Sequence, residues 1–389
     1  MEVNMAKFNI IVPIFQTIEI LRLFLDSLEH TLTQESNIIF INDGSGNVVQ
    51  EILQKFQQKA AFFKVPARVS ILENHTSLGS VAAINSALQI IDTNCEYVVF
   101  LDSDTILQGT WQDEIIPYFE EDTVAAVGGL LLYPQTGGVQ CCGLTYCGTC
   151  GRHLYLNSPN DILEKIGAFE VQATIFAFCC IRQTVIKEVG LLDNHFFNGY
   201  EDLDYQFRIR ELGYKIITVP SIRLFHWEKS NGNFREFNRK SNLGRFWMKH
   251  GVNVKEDLTD FIQFRLSQLN ISDVSYSAID FCEGKDDANR IKNFLNQYDG
   301  ICIDSWETSA YIHSSHDTIW LPEAMDSGRI WSTTPLLFLC DQMVQLLDNH
   351  YWWSIRQQNG QKDIIIDLYG NALFFSQLQY GFWPGRKIR

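Results

Sequence analysis

No G-x-G-x-x-G follows the first strand-like run of this 389-residue chain, and no G-x-x-x-x-G-K-[ST] occurs in it. Without those glycine-rich loops neither a dinucleotide fingerprint nor a P-loop is there to cradle phosphates, so any nucleotide is held differently. Uninterrupted apolar runs never approach the about 18 residues that a bilayer-spanning helix requires. Residues 1–7 lead almost directly into a strand and lack a signal-peptide pattern, so the expectation is a cytoplasmic protein without a transmembrane segment, peripheral membrane contact being left open. Positive charge is also in short supply. Lys and Arg number 31 against 46 Asp and Glu, a net charge of −15. The deficit is shared, residues 251–389 holding 11 Lys/Arg and 18 Asp/Glu and residues 1–250 holding 20 and 28. No nucleic acid is expected as a partner, since phosphate neutralisation needs clustered basic side chains. A phosphorylated small molecule would be repelled as well unless a divalent cation offset the field, and metal dependence follows as an expectation.

Composition otherwise describes an ordinary globular protein, 46% hydrophobic and 20% charged, long enough for two domains with cores of their own. Ten cysteines in a cytosolic chain are expected to stay reduced, most of them in the core. The exception is the stretch 141–150, where Cys141, Cys142, Cys147 and Cys150 supply a C-x-x-C and an adjacent pair that could offer four thiolates to zinc. No second well-spaced C-x-x-C supports that reading, and free thiols in a loop are the alternative.

From residue 8 the pattern alternates. Residues 8–15 are a β-branched apolar run, and residues 17–32 then put Ile20, Leu21, Phe24, Leu25 and Leu28 on one helical face. Strands at 37–41, 68–72 and 97–101 and helices at 48–62 and 77–91 continue the series. Such alternation predicts an α/β fold, a mostly parallel sheet with helices on its faces. Ligands of such sheets lie beyond the carboxyl ends of the strands.

Acidic residues stand at those ends. In Asp102-Ser103-Asp104 two carboxylates at i and i+2 can share one side of a strand end, where their oxygens suit a hard cation such as Mg²⁺ or Mn²⁺ bridging a diphosphate. A polar turn capping a following helix is the plainer reading of the same residues. Asn42-Asp43-Gly44-Ser45-Gly46 places Asp43 to accept hydrogen bonds from a base or ribose, or simply to close a turn. Glu201 and Asp202 open a predicted helix that stops at Gly213. Capping and an i, i+4 ion pair account for Asp204 and Arg208, whereas Asp202 is the candidate base for an acceptor hydroxyl. His226, between Phe225 and Trp227, is a satisfied core histidine unless a metal lies nearby.

Taken in order, Ile11-Val12-Pro13-Ile14-Phe15, Asn42-Asp43-Gly44-Ser45, Asn74, Leu78-Gly79, Asn85 and Val99-Phe100-Leu101-Asp102-Ser103-Asp104 resemble glycosyltransferase family 2. The later matches are the most specific: Glu188-Val189-Gly190-Leu191-Leu192-Asp193, Phe196-Phe197, Gly199-Tyr200-Glu201-Asp202-Leu203-Asp204, Arg208, Gly213-Tyr214, Val219-Pro220 and His226. The resemblance covers residues 6–230. It implies the GT-A fold, a Rossmann-like mixed sheet flanked by helices, and an inverting, metal-dependent transfer from a nucleotide-sugar donor, by default a UDP-sugar. The acceptor it implies is a hydroxyl of a carbohydrate, glycolipid or glycoprotein. By position it implies donor contacts from Pro13, Asp43, Asn74, Gly79, Asn85 and Asp102, and a divalent metal (Mn²⁺ or Mg²⁺) on Asp102, Asp104 and His226. Asp202 would be the catalytic base, with Glu201 orienting it or the acceptor. The chain departs from the family pattern at Asn42, where a second Asp is common, at Gly46-Asn47 in place of Thr-Asp, and at Ile84 in place of an Arg. None of these changes removes an acid of the implied reaction.

Residues 1–250 are therefore expected to form the catalytic domain and residues 251–389 a smaller α/β accessory domain for acceptor recognition or self-association as a homo-oligomer. Within the latter, 300–303 and 363–368 read as buried strands and 335–347 as a helix. Six of the nine Trp fall there, namely Trp306, Trp320, Trp331, Trp352, Trp353 and Trp383, and aromatic faces serve sugars, a protein partner or the core. Besides an inverting glycosyltransferase, two readings compete. One is a non-catalytic sugar-nucleotide-binding or scaffolding protein on the same fold. The other is a nucleotidyltransferase, whose Gly-rich basic N-terminal loop is missing.

Overall fold

Apolar residues on both faces make β1 (Phe8–Ile14), in which Pro13 alone is not fully buried. The helix α1 (Ile18–Thr31) follows and buries Ile20, Leu21, Phe24, Leu25 and Leu28, the spacing of one helical face. The alternation continues with β2 (Ser36–Asp43), α2 (Asn47–Ala60), β3 (Ala67–Asn74), α3 (Ser80–Leu88) and β4 (Tyr97–Leu101). Next come β5 (Thr105–Leu107), α4 (Trp111–Ile115), β6 (Val124–Leu132), β7 (Val139–Cys141), β8 (Leu144–Cys147), β9 (Cys150–His153), β10 (Phe169–Val171) and β11 (Phe178–Arg182). They lead to α5 (Gln183–Val189), α6 (Glu201–Glu211), β12 (Lys215–His226) and α7 (Asn233–His250). The remainder forms α8 (Leu258–Gln268), β13 (Val274–Asp280), α9 (Asp286–Leu295), β14 (Ile301–Thr308), β15 (Leu336–Cys340), β16 (Ile364–Asp367) and β17 (Ala372–Phe374). This computed structural model describes residues 7–16, 18–227, 233–271, 274–282, 285–308, 333–343, 356 and 362–378, and of residues 233–237 the backbone alone.

Two compact units divide the chain: residues 1–134, 142–144 and 163–254 make the first, residues 135–141, 145–162 and 255–389 the second. In the first, the sheet runs β10-β12-β6-β11-β4-β1-β2-β3, and β5 pairs with β12. Strands β1 to β4 are parallel, in a register that sets Ile11 opposite both Ile39 and Phe100. Their carboxyl ends therefore share one edge, the edge where open α/β sheets hold ligands. β11 then runs antiparallel between β4 and β6, which makes the sheet mixed. A mixed sheet flanked by helices is the architecture the sequence led us to expect. Residues 215–226 form one long strand, β12, whose pairing with β6 shifts between Val219 and Arg223. Pro220 lies at that shift, and a proline has no N–H to give a ladder.

The second unit has a five-stranded sheet, β14-β13-β15-β16-β17, parallel except for β17. Alternation along β15 sends Leu337 and Leu339 into a core with α8 and α9 residues such as Ile262, Leu266, Ala288 and Ile291. Leu336, Phe338 and Cys340 enter the opposite core with Ile279, Ile365 and Phe375. Residues 336–340 are thus a strand and not the helix expected over 335–347, because five consecutive buried apolar residues serve both faces of a central strand. Conversely, β14 is an edge strand with an exposed Cys302, so the buried strand expected at 300–303 is buried at Ile301 alone. Of the cysteines at 141–150, Cys141 ends β7, Cys147 ends β8 and Cys150 opens β9, while Cys142 lies in the bend between β7 and β8. Cys141, Cys142 and Cys147 are buried and Cys150 is exposed. Of the six tryptophans in this part of the chain, Trp306 is described and donates to Asn296 Oδ1 at 3.0 Å. Trp320, Trp331, Trp352, Trp353 and Trp383 lie outside the described residues.

Candidate active site

At the carboxyl end of β4 the chain turns through Asp102-Ser103-Asp104 straight into β5, not into the helix that a capping turn would precede. The turn is pinned from within, since the Thr105 hydroxyl donates to the Asp102 carbonyl at 2.8 Å. It is pinned from outside as well, since the Asp102 N–H donates to the Ala177 carbonyl at 3.2 Å and Trp227 N–H to the Asp104 carbonyl at 3.0 Å. β5 pairs antiparallel with the last residues of β12, placing Thr105 opposite His226. Two segments more than a hundred residues apart in the sequence meet in this way.

The meeting brings three metal-type donors together. His226 Nε2 lies 3.4 Å from Asp104 Oδ1 and 3.7 Å from Asp102 Oδ2. One ligand atom from each of the three residues falls within 4.8 Å of the other two, a span that two metal–ligand bonds of about 2.1 Å come close to bridging. Asp104 and His226 are buried, whereas Asp102 keeps 43% of its side-chain surface exposed. Two hard carboxylate oxygens and an imidazole fit a divalent first-row ion. Among the described residues this is the one such cluster.

Behind the second strand, Asp43 is held by its own chain. Its carboxylate, 4% exposed, accepts hydrogen bonds from Asn74 Nδ2 at 2.8 Å, Ser77 Oγ at 2.7 Å, Leu78 N at 2.9 Å and Gly79 N at 3.0 Å. Four donors from its own chain reach the carboxylate, and through them Asp43 and Asn74 shape the loop entering α3. Gly44 fits beneath that loop with φ +75°, where a Cβ would stand 2.5 Å from Ser77 N. Gly79, at φ +88°, would place a Cβ 2.9 Å from the Phe197 ring. Asn85 is 6% exposed and bonds within the chain. Its amide donates to Leu192 O and Asn194 Oδ1 and accepts from Leu192 N. Pro13 is half-buried within β1, opposite Ile41.

The second pair of acids opens α6. The backbone enters through Asn198, Gly199 and Tyr200 with φ of 50°, 140° and 71°, a run of unusual conformations of the kind that surrounding contacts must hold in place. Glu201 supplies some of these contacts, accepting from Ser80 Oγ at 2.8 Å and from Gly199 N at 2.5 Å. Asn242 of α7 supplies others, its amide donating to the carbonyls of Phe197 and Gly199 at 2.9 Å each. Asp202, half-buried in the first turn, accepts from Leu203 N at 2.9 Å. Gln206, one turn later, donates to Asp202 O and accepts from Thr174 N.

Asp204 turns the other way, into the protein. It is fully buried and carries Arg208 Nε at 3.0 Å, Lys249 Nζ at 2.6 Å and His250 Nε2 at 2.9 Å. The ion pair with Arg208 read from the sequence is present, joined by one with Lys249 and by the contact with His250. Burial alone would raise the Asp204 pKa, yet hydrogen bonds from His250 and Lys249 and the charge of Arg208 hold it below the usual value. His250 Nδ1 faces Glu211 Oε1 at 2.9 Å, so its ring bridges two carboxylates of α6. The positions sequence reasoning missed are Ser80, Asn242, Lys249 and His250. Asn242, Lys249 and His250 recur at helical spacing along α7, and that polar stripe is the signal that could have found them. The neighbouring thiols play no part: burial pushes Cys179 up to about 12 and Cys180 well above the ordinary thiol value.

Residues 9–190 match the sequence profile of Glycosyl transferase family 2. Over 233 residues, 58% of the chain, it is 24% identical to the O-antigen biosynthesis protein RfbC of Myxococcus xanthus, spanning 18% of that protein. Over 223 residues, 56% of the chain, it is 24% identical to a pre-mycofactocin glycosyltransferase of Mycobacterium tuberculosis, spanning 42% of that protein. The chain thus spans less than half the length of these two relatives. A mannosyltransferase of Pyrobaculum calidifontis, solved with GDP-Man and Mn²⁺, superposes with a TM-score of 0.47 at 14% identity, covering 65% of this chain and 66% of that one.

Proposed function

The chain carries a glycosyltransferase family 2 domain, and from that premise we propose that it moves a sugar from a nucleotide-sugar donor, a UDP-sugar by preference, to a hydroxyl of a growing glycan, glycolipid or glycoprotein. The observation that carries this reading is the convergence of Asp102, Asp104 and His226 on one point at the sheet's carboxyl edge. These three side chains would hold a divalent ion, Mn²⁺ or Mg²⁺, and the imidazole in the set favours Mn²⁺. When bound, the ion supplies positive charge against the departing nucleoside diphosphate.

The chain's own residues account for the rest. Asp202 accepts the proton of the acceptor hydroxyl while that oxygen bonds to the sugar's anomeric carbon and the bond from that carbon to the diphosphate oxygen breaks. A single displacement of this kind inverts the anomeric centre. Glu201 is a positioning residue, since both of its oxygens are committed to Ser80 and Gly199 and so hold the entrance of α6. Asp43 acts one step further back, fixing the 77–79 loop that frames the same edge. Residues 251–389 would serve acceptor recognition or self-association. Among the described residues no helix is long and apolar enough to cross a membrane.

Calorimetric titration of the purified chain with UDP, GDP and dTDP, each with and without Mn²⁺, tests the proposal. Metal-dependent binding of one nucleotide, lost in Asp104→Ala, is the expected result. No binding of any would favour the non-catalytic reading.

A further inference from the structure

The second unit contains a buried arginine whose charge no carboxylate among the described residues balances. Arg265, on α8, is 3% exposed. Its Nη1 donates to Gln268 Oε1 at 2.9 Å and reaches the Ile162 carbonyl at 3.5 Å, and these are its hydrogen bonds among the described residues. Its guanidinium carbon lies 5.9 Å from the centre of the Tyr155 ring. Nε is buried without a hydrogen-bond partner, and no carboxylate among the described residues pairs with the group.

A second buried arginine of this unit shows what is missing. Arg356, 1% exposed, donates from Nε to Asp363 Oδ2 and from Nη2 to Asp363 Oδ1, at 2.6 Å each. That is the two-pronged pairing for which the guanidinium fork is suited. On Arg265, Nε is buried without a partner and Nη2 has none among the described residues, while Nη1 is occupied and Tyr155 lies on one face. An ion removed from water without a counter-charge is costly. Burial accordingly depresses the pKa of Arg265 below the ordinary arginine value.

We propose that the Nε–Nη2 edge of Arg265 binds an oxyanion, the phosphate or carboxylate group of a small ligand of the second unit. The proposal rests on residues of the second unit alone, and it needs neither sugar transfer nor a divalent ion.

Thermal unfolding of the full chain in EDTA tests it, with potassium phosphate, potassium acetate and potassium chloride compared at matched ionic strength. The wild-type Tm is expected to rise saturably with phosphate or with acetate beyond any effect of chloride, and whichever anion acts identifies the group bound. In Arg265→Met that response should disappear, with Tm in chloride equal to or above the wild type because an unpaired buried charge has gone. A wild-type Tm that follows chloride alone would overturn the site, as would a response surviving in Arg265→Met, which would place the anion elsewhere. Should Arg265→Met fail to fold, Arg265→Lys keeps the charge without the fork. It is expected to weaken the anion's apparent affinity by about tenfold, and an unchanged affinity would overturn the proposal.

Discussion

Of the acids gathered at the edge of the first sheet, Asp202 and Asp43 have opposite fates, and substitution should separate them. Asp202→Asn removes the proposed base while keeping size and shape, so kcat is expected to fall by about 10²–10⁴-fold with nucleotide affinity unchanged. Transfer assays beside calorimetry read both, and retained turnover would refute the assignment. Asp43→Ala instead leaves Asn74 Nδ2, Ser77 Oγ, Leu78 N and Gly79 N without their acceptor. It should cost about 3 kcal/mol in urea unfolding, on the order of one to three buried polar groups left unsatisfied. The sequence made both acids visible as motif positions but could not tell them apart. The donors that fill Asp43 come from residues 31 to 36 positions later, brought there by the pairing of β2 with β3 and not by local spacing. His226 was equally ambiguous in the sequence, and the pairing of β12 with β5 sets it beside Asp102 and Asp104.

The element that matters most to the proposed chemistry is α6, and it is held by α7. Asn242→Ala deletes the hydrogen bonds to Phe197 O and Gly199 O that restrain the entrance of α6. It should lower kcat more than it raises the donor KM, and cost about 1–2 kcal/mol of stability in the same denaturation assay. Equal loss in every parameter would point to general unfolding instead. The ion pairs of Asp204 add a pH dependence. Its folded pKa lies below the unfolded one, so its contribution is fully present above the unfolded value of about 3.9 and fades as pH falls through the lower folded value. Thermal unfolding followed from pH 6 down to about pH 3 should show this loss, and Asp204→Asn should flatten it. Elements were legible where their periodicity was clean. Of the helices, α1 shows its apolar stripe in the sequence as it does in the fold. β15 was misread because a run of five apolar residues carries neither a helical nor an alternating period, and only its position between β13 and β16 decides the matter.

At the scale of the whole molecule, charge and chain path dominate. A net charge of −15 repels a nucleoside diphosphate over distances that salt controls. Without metal, stopped-flow association of a nucleotide is expected to quicken as the Debye length shrinks from about 30 Å at 0.01 M salt to about 8 Å at 0.15 M. Saturating Mn²⁺ should weaken that dependence, and an opposite salt effect would mean that local donors outweigh the net field. Metal removal by EDTA should abolish tight nucleotide binding altogether, with Mn²⁺ restoring it. The chain path was invisible to sequence reasoning, because segments 135–141 and 145–162 sit in the middle of the first unit's sequence yet group with residues 255–389. Tyr146, Leu154 and Tyr155, all buried, belong to those segments. On the ribosome, with synthesis at about 5–20 residues per second, Tyr155 emerges roughly 5–20 s before α8. For that interval these side chains wait in water or on a chaperone, and a nascent chain stopped near residue 250 would keep them waiting for good.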